Sequence, residues 1–258
     1  MKALFAIYKI LLDNLGYQNW WPITPEGELN PIYPKDIHSR QLSEKEMFEI
    51  SLGAILTQNT SWKNVEKAII NINKNNLASP EKILDTKTEF LAETIRSSGY
   101  FNQKAIKLKI FSEWLMKNYS GSMKRFFNSG NLEKLREELL SIKGIGPETA
   151  DSILLYAGNK NIFVIDAYTK RIFLRIGINE QDYHKLQRTF MENLPSYSVV
   201  FKEYHALIVE LGKNFCRKRE PLCVGCPLKM KCVFGQEILS KTLNPICCST
   251  AAWKKSKH

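Results

Sequence analysis

The sequence predicts an all-α fold. Apolar residues recur at helical spacing in segment after segment, and the one run that reads as extended, Ile162-Phe163-Val164-Ile165, is too short to build a sheet. Helix punctuation separates these segments, with Ser43, Ser79, Thr88 and Asn131 at helix starts and Gly16 at a helix end. The 258 residues suffice for one large domain or two smaller ones sharing a groove, and a hydrophobic content of 44% is enough for a real core.

In chain order, Ala3 to Leu15 reads as an amphipathic helix closed by Gly16. Its apolar run is interrupted by Lys9 and followed by no small-residue cleavage site, so it is not read as a signal peptide. Trp20-Trp21-Pro22 follows in a loop, where adjacent tryptophans can either anchor the loop on the core or aim together into one cavity. The loop from Ile23 to Arg40 is long for a compact domain, as a lid or an inserted segment would be. Ser43-Glu44-Lys45-Glu46 is a capping box for a helix over Met47 to Thr57. Gln58 and Asn59 are polar at its end, placed to cap the turn or to insert into a ligand. Helices are then predicted from Trp62 to Ile72, from Ser79-Pro80, from Thr88, and after the turn Ser98-Gly99-Tyr100 as far as about Lys117.

Two further helices, Leu132 to Leu140 and Ala150 to Tyr156, flank Ile142-Lys143-Gly144-Ile145-Gly146-Pro147-Glu148-Thr149. Pro147 suits the first position of the second helix, and two glycines one residue apart permit a tight turn that brings bare amides close to a ligand. Such a turn is either a plain connection or a grip on a nucleic-acid phosphate that reads no sequence. Asp166 precedes a helix from Ala167 to Leu174 and serves either as its N-cap or as a carboxylate at the mouth of a groove, roles that are compatible. Helices from Tyr183 to Asn193 and from Ser198 to Gly212 lead to Cys216.

Cys216, Cys223, Cys226 and Cys232 fall within 17 residues. Four thiolates so close together point to metal, and either zinc or an iron–sulfur cluster takes such a set. Cys247 and Cys248 lie outside this spacing, in a tail from 244 to 258 that reads as disordered. Lys and Arg total 37 against 26 Asp and Glu, a net charge of +11, which favours a polyanionic partner. No stretch is long enough to span a membrane, and the expectation is a cytoplasmic protein.

The stretch Ile142 to Ala150 resembles the helix-hairpin-helix of the endonuclease III superfamily of DNA glycosylases, and C-x6-C-x2-C-x5-C is similar to that superfamily's [4Fe–4S] spacing. The resemblance runs from about Trp20 to Cys232. It implies two helical domains flanking a groove: a central domain over 30–158 ending in the hairpin at about 131–156, and a cluster-bearing domain from 1–29 plus 159–243. It implies double-stranded DNA with damaged bases as partner, held by Gln58, Asn59, Lys143, Gly144, Ile145, Gly146 and Thr149, and a monomer with no obligate protein partner. It assigns a [4Fe–4S] cluster to the four cysteines, with zinc as the other metal.

One departure is informative. Bifunctional members carry a lysine where this chain has Glu148, and a carboxylate cannot form the Schiff base that leads to strand cleavage. Asp166 matches the superfamily's catalytic aspartate, which stabilises the positive charge that builds on the sugar and orients water. Trp20-Trp21-Pro22 and the stretches around Thr57, Tyr100 and Pro147 are similar to the 3-methyladenine DNA glycosylase branch. There an aromatic pair sandwiches the flipped base, a role that falls here on Trp20 and Trp21 with Trp62 facing them; Glu148 is read either as an acceptor for the base in the pocket wall or as a ligand for ordered water. The function implied is base-excision repair by a monofunctional glycosylase for alkylated purines such as 3-methyladenine. The alternatives are a uracil or mismatch glycosylase, an endonuclease III-type glycosylase and AP lyase, and a DNA-binding protein without chemistry.

Overall fold

A computed structural model describes residues 2–243; Cys247, Cys248 and the tail read as disordered lie outside the described residues. Among the described residues the chain is helical, with one isolated antiparallel bridge between Ile23 and Ile32. The α-helices are α1 (Lys2–Leu15), α2 (Glu44–Leu56), α3 (Trp62–Lys74), α4 (Pro80–Asp85), α5 (Thr88–Thr94), α6 (Phe101–Tyr119), α7 (Met123–Phe127), α8 (Leu132–Ser141), α9 (Pro147–Ser152), α10 (Ala167–Ile176), α11 (Tyr183–Asn193), α12 (Ser198–Asn214) and α13 (Val233–Leu243). The Ile162–Ile165 run is buried without forming a strand. No helix of the described residues is long and apolar enough to cross a membrane.

The described residues pack as two units, one of residues 17–164 with 194–206, the other of 2–16, 165–193 and 207–243. The boundaries drawn from the sequence fell instead at 29/30 and 158/159. The larger unit is built around α2. Every residue from Glu46 to Leu56 is buried, so this helix is apolar nearly all round, as a helix enclosed by neighbours must be. It begins at Glu44, directly after its cap: Ser43 Oγ accepts from the Glu46 N–H, and the Glu46 carboxylate accepts from the Ser43 N–H at 2.8 Å. α3, α6, α7 and α9 pack against it.

The smaller unit places α1 against α11 and α10 against α13. α10 starts at the Asp166 N-cap and stops at Gly177, whose φ of +118° is open to glycine.

Three features were not read from the sequence: the short α7, the closing α13, and a π-helical turn over Ile153–Ala157 that follows α9. The Gly158 N–H reaches the Ile153 carbonyl at 3.1 Å, five residues back, and a Cβ at Gly158 would lie 2.6 Å from the Phe127 ring. The widened turn thus accompanies a close backbone approach to α7.

A buried ion pair closes the α8–α9 hairpin. Arg136 Nε donates to Asp151 Oδ1 at 2.7 Å and Nη2 donates to Oδ2 at 3.2 Å, with the Asp151 side chain fully buried. Removing one partner strands the other's charge in a low-dielectric site. Arg136→Ala should therefore lower the unfolding free energy by about 3 kcal/mol, measured by urea denaturation, and a loss under about 1 kcal/mol would show that the pair does not lock the hairpin.

Candidate active site

The segment 18–24 carries the tryptophan pair, and buried carboxylates hold it at both ends. The Gln18 N–H donates to Glu203 Oε1 at 2.5 Å, and the Thr24 N–H donates to Glu49 Oε1 at 2.8 Å. Glu203 also faces His38 Nε2 at 3.0 Å, which ties the end of the 23–40 loop to α12. Asn73 on α3 donates to Glu49 Oε2 at 3.2 Å. Burial pushes the Glu49 carboxyl above the usual range, opposed by the bonds from Asn73 and Thr24. Neither glutamate was singled out in the sequence. The available signal was an acid inside an apolar helix, Phe48-Glu49-Ile50 and Phe201-Lys202-Glu203-Tyr204, which needs a partner when buried.

Trp20, Trp21 and Trp62 come together. Their ring centroids lie 5.1 to 5.6 Å apart, and every pair meets steeply, at 64° to 84°. Trp21 and Trp62 are buried, while Trp20 is half-buried with Tyr33 of the loop 5.6 Å from it. A Cβ at Gly53 would stand 3.0 Å from Trp21, so α2 offers bare backbone under this ring. A sandwich needs two parallel rings roughly 7 Å apart, twice an aromatic contact distance. The three indoles instead form a mutually edge-on cluster.

The hairpin turn is exposed at Lys143, Gly144, Gly146 and Glu148 and buried at Ile145 and Thr149. Gly144 has φ +93°, and a Cβ there would meet the Lys107 side chain at 2.8 Å. Gln58 points into the protein: its Nε2 donates to the Gly144 carbonyl at 3.1 Å and to Thr149 Oγ1 at 3.0 Å, and Lys107 donates to its Oε1. Asn59 is exposed with φ +56°. Gln58, Asn59, Tyr100, Gln103, Lys104 and Lys107 line a cavity of about 250 Å³. Lys104 is buried in its wall and donates to the Leu56 and Ser98 carbonyls at 2.8 and 2.7 Å, capping the C-terminus of α2. Burial, assisted by the charge of Lys107, lowers its pKa to about 8.

In the other unit, Asp166 is buried at the N-cap of α10, where its Oδ1 accepts from the Thr169 N–H at 2.6 Å and Thr169 Oγ1 at 2.8 Å. The same helix reaches the cysteine loop. Arg171 Nε donates to the Cys216 carbonyl at 3.0 Å, and Arg175 Nη1 donates to Cys216 Sγ at 3.2 Å and the Arg217 carbonyl at 2.7 Å. All four cysteines are half-buried free thiols. Burial first, then the neighbouring thiols Cys216, Cys232 and Cys223, pushes Cys226 up to about 11. Among the described residues no group of three or more His, Cys, Asp or Glu stands close enough to hold a single metal ion. Four sulfurs that feel one another, with a guanidinium on one of them, form a donor set that fits a thiolate-bound metal group.

Residues 52–196 match the family described as HhH-GPD superfamily base excision DNA repair protein. The chain is 45% identical over 90% of its length, and 96% of the relative's, to a Methanocaldococcus jannaschii protein named "Putative DNA repair glycosylase MJ1434". It is 27% identical over 76% of its length, and 86% of the relative's, to endonuclease III of Thermotoga maritima. Among solved structures, the 3-methyladenine DNA glycosylase MagIII of H. pylori bound to 1,N6-ethenoadenine superposes with TM-score 0.64 and 31% identity, covering 81% of this chain and 97% of that one. A trapped endonuclease III–DNA covalent intermediate shares the fold with TM-score 0.70 at 19% identity, covering 93% of this chain and all of that one. The chain belongs to the HhH-GPD superfamily of base excision DNA repair proteins.

The buried amine of Lys104 has a consequence for stability. Folded, it releases its proton near pH 8; unfolded, it keeps it to 10.5, so between these values the unfolded chain binds more protons and stability rises with pH. Lys202, also lowered to about 8 by burial, acts in the same direction. Urea midpoints should climb from pH 8 to 10 in the wild type relative to Lys104→Met, in which the climb is shallower; identical slopes would mean that Lys104 titrates normally.

Proposed function

We propose that this DNA glycosylase is monofunctional and releases N-alkylated purines such as 3-methyladenine. The observation that carries the reading is the gathering of Trp20, Trp21 and Trp62 into one aromatic cluster. Indole faces are electron-rich, and a cationic alkylpurine gains roughly 1–2 kcal/mol from such a face once desolvated, a gain withheld from a neutral base. The likeness to a 3-methyladenine glycosylase supports the same substrate. For a base to stack, Trp20, the half-exposed member, yields its place, and Glu148 takes a place in the pocket wall.

The other parts of the reading follow from residue chemistry. An alkylated purine is already a good leaving group, so the enzyme has chiefly to stabilise the sugar cation. Asp166 does this as a buried carboxylate and orients the attacking water, while Oδ1 also caps α10. The exposed turn at Lys143, Gly144 and Gly146 holds phosphate by its amides and the Lys143 charge. Ile145 and Thr149 shape that turn from inside, and Gln58 braces it. Asn59, at the exposed tip beside Gln58, is the side chain that enters the duplex. Cys216, Cys223, Cys226 and Cys232 hold a [4Fe–4S] cluster, which when bound cross-links the loop and supplies a one-electron redox centre. Arg171 and Arg175 fasten that loop to the helix that begins at Asp166.

A second reading, an endonuclease III-type lyase, draws on the named relatives. Glu148 opposes it, since a carboxylate forms no Schiff base. The test is incubation with methylated duplex DNA, chromatography of released bases, and gels before and after hot alkali. Free 3-methyladenine with strand breaks only after alkali is the expected result, with no borohydride-trapped adduct. Breaks without alkali would establish the lyase, and no released base would overturn the assignment. Asp166→Asn retains a helix cap and should lose base release by about 10²- to 10⁴-fold while still binding DNA; undiminished release would remove Asp166 from the mechanism. Protein purified without air should absorb broadly near the visible–ultraviolet boundary, and a colourless preparation with stoichiometric zinc would replace the cluster.

A further inference from the structure

We propose that the Trp62 indole N–H reads the extrahelical base, donating a hydrogen bond to a lone pair on its edge. The inference rests on the aromatic cluster being the base-recognition site. Trp62 is only 8% exposed, and its Nε1 is buried without a hydrogen-bond partner. Buried indole N–H groups normally find an acceptor. Hydroxyl, amide and imidazole groups can relieve such a position by rotation, flipping or a change of tautomer, but an indole nitrogen is a donor and nothing else. An orphan of this kind, inside the cluster assigned to the ligand, is a donor held for something that arrives.

The ring angles define its contact. Trp62 stands at 69° to Trp20 and at 84° to Trp21. With Trp20 displaced, a planar base lying flat on Trp21 is steeply inclined to Trp62 and cannot stack on it. The polar contact left to Trp62 is its N–H, which lies in the plane of its own ring. An acceptor in the plane of the base meets it along the line where the two planes cross.

The chemistry of alkylated purines supplies that acceptor. Alkylation at N3 of adenine leaves the N7 lone pair, and alkylation at N7 of guanine leaves O6. Stacking recognises the positive charge of the ring, which a purine alkylated at N3 or N7 carries while it is still bonded to the sugar. The N–H adds a second criterion, an unprotonated ring nitrogen or carbonyl oxygen on the edge that faces Trp62. The substrate class is therefore a purine made cationic by N-alkylation, with a free acceptor edge that the neutral released base keeps.

The indole N–H can be observed directly. Protein labelled with ¹⁵N-tryptophan has five indoles, and Trp62→Phe identifies the resonance of Trp62. On titration with free 3-methyladenine or 7-methylguanine, the Trp62 N–H resonance should move downfield and exchange more slowly with water. Trp62→Phe, checked for folding by circular dichroism, should bind the free base about tenfold more weakly, the effect of one neutral hydrogen bond. If Trp20 and Trp21 respond while Trp62 stays still, or if Trp62→Phe binds within twofold of wild type, the base is held without this donor and the inference falls while the alkylpurine reading stands. If no indole responds and wild-type protein releases no alkylated base, the functional reading falls with it.

Discussion

The arrangement of the aromatic cluster depends on two buried carboxylates. Glu203 takes the backbone N–H of Gln18, and Glu49 takes that of Thr24. Bonds from a neutral donor to a charged acceptor are stronger than neutral pairs, and a carboxylate buried without them would be unaffordable. Fixing both ends of a seven-residue segment leaves Trp20 and Trp21 little freedom to slide. Their rings then come to rest against Trp62 on α3 and, for Trp21, against the bare backbone of Gly53 on α2. The 23–40 loop leaves this segment and returns to it, since His38 sits on the second oxygen of Glu203 and Ile32 pairs with Ile23. The loop is thus part of the same construction and contributes Tyr33 to the side of Trp20.

The hairpin is stiffened in a comparable way. Arg136 and Asp151 clamp its two helices, and Gln58 spans from Lys107 to Gly144 and Thr149. The turn after α2, the first turns of α6 and the hairpin therefore share one hydrogen-bonded network, with Lys104 beneath it on the end of α2. In the other unit, α10 is the corresponding strut, with Asp166 at its head and two arginines gripping the cysteine loop further along. In both units a few side chains are held in place by many more hydrogen-bonded neighbours.

Much of this was legible in the sequence, and what was legible was local. Caps at Ser43, Ser79, Asn131 and Asp166 occur where the residue types place them, because a cap involves the first turn alone. The membership of the family was legible because a hairpin and a cysteine spacing are contiguous patterns. The short α7 escaped because its five residues, Met123 to Phe127, are too few to show a period, and the π-helical turn because its register depends on tertiary contact at Gly158. Gln58 is the clearest lesson within the site. The sequence shows a polar residue at a helix end, yet the direction of its side chain is decided by Gly144, 86 positions later. The tryptophans were legible as a group, but their steep mutual angles are not a property of any short stretch.

The bond between Gln18 and Glu203 joins positions 185 apart. A ribosome adding about 5–20 residues per second needs about 10–40 s to travel that distance. For most of that interval the nascent tryptophans are outside the ribosome while the carboxylate that will anchor them has not yet been made. The aromatic cluster is therefore among the last parts of the larger unit to be completed, although its indoles are translated well before α12. Exposed aromatic surface during those seconds is a natural site for chaperone capture.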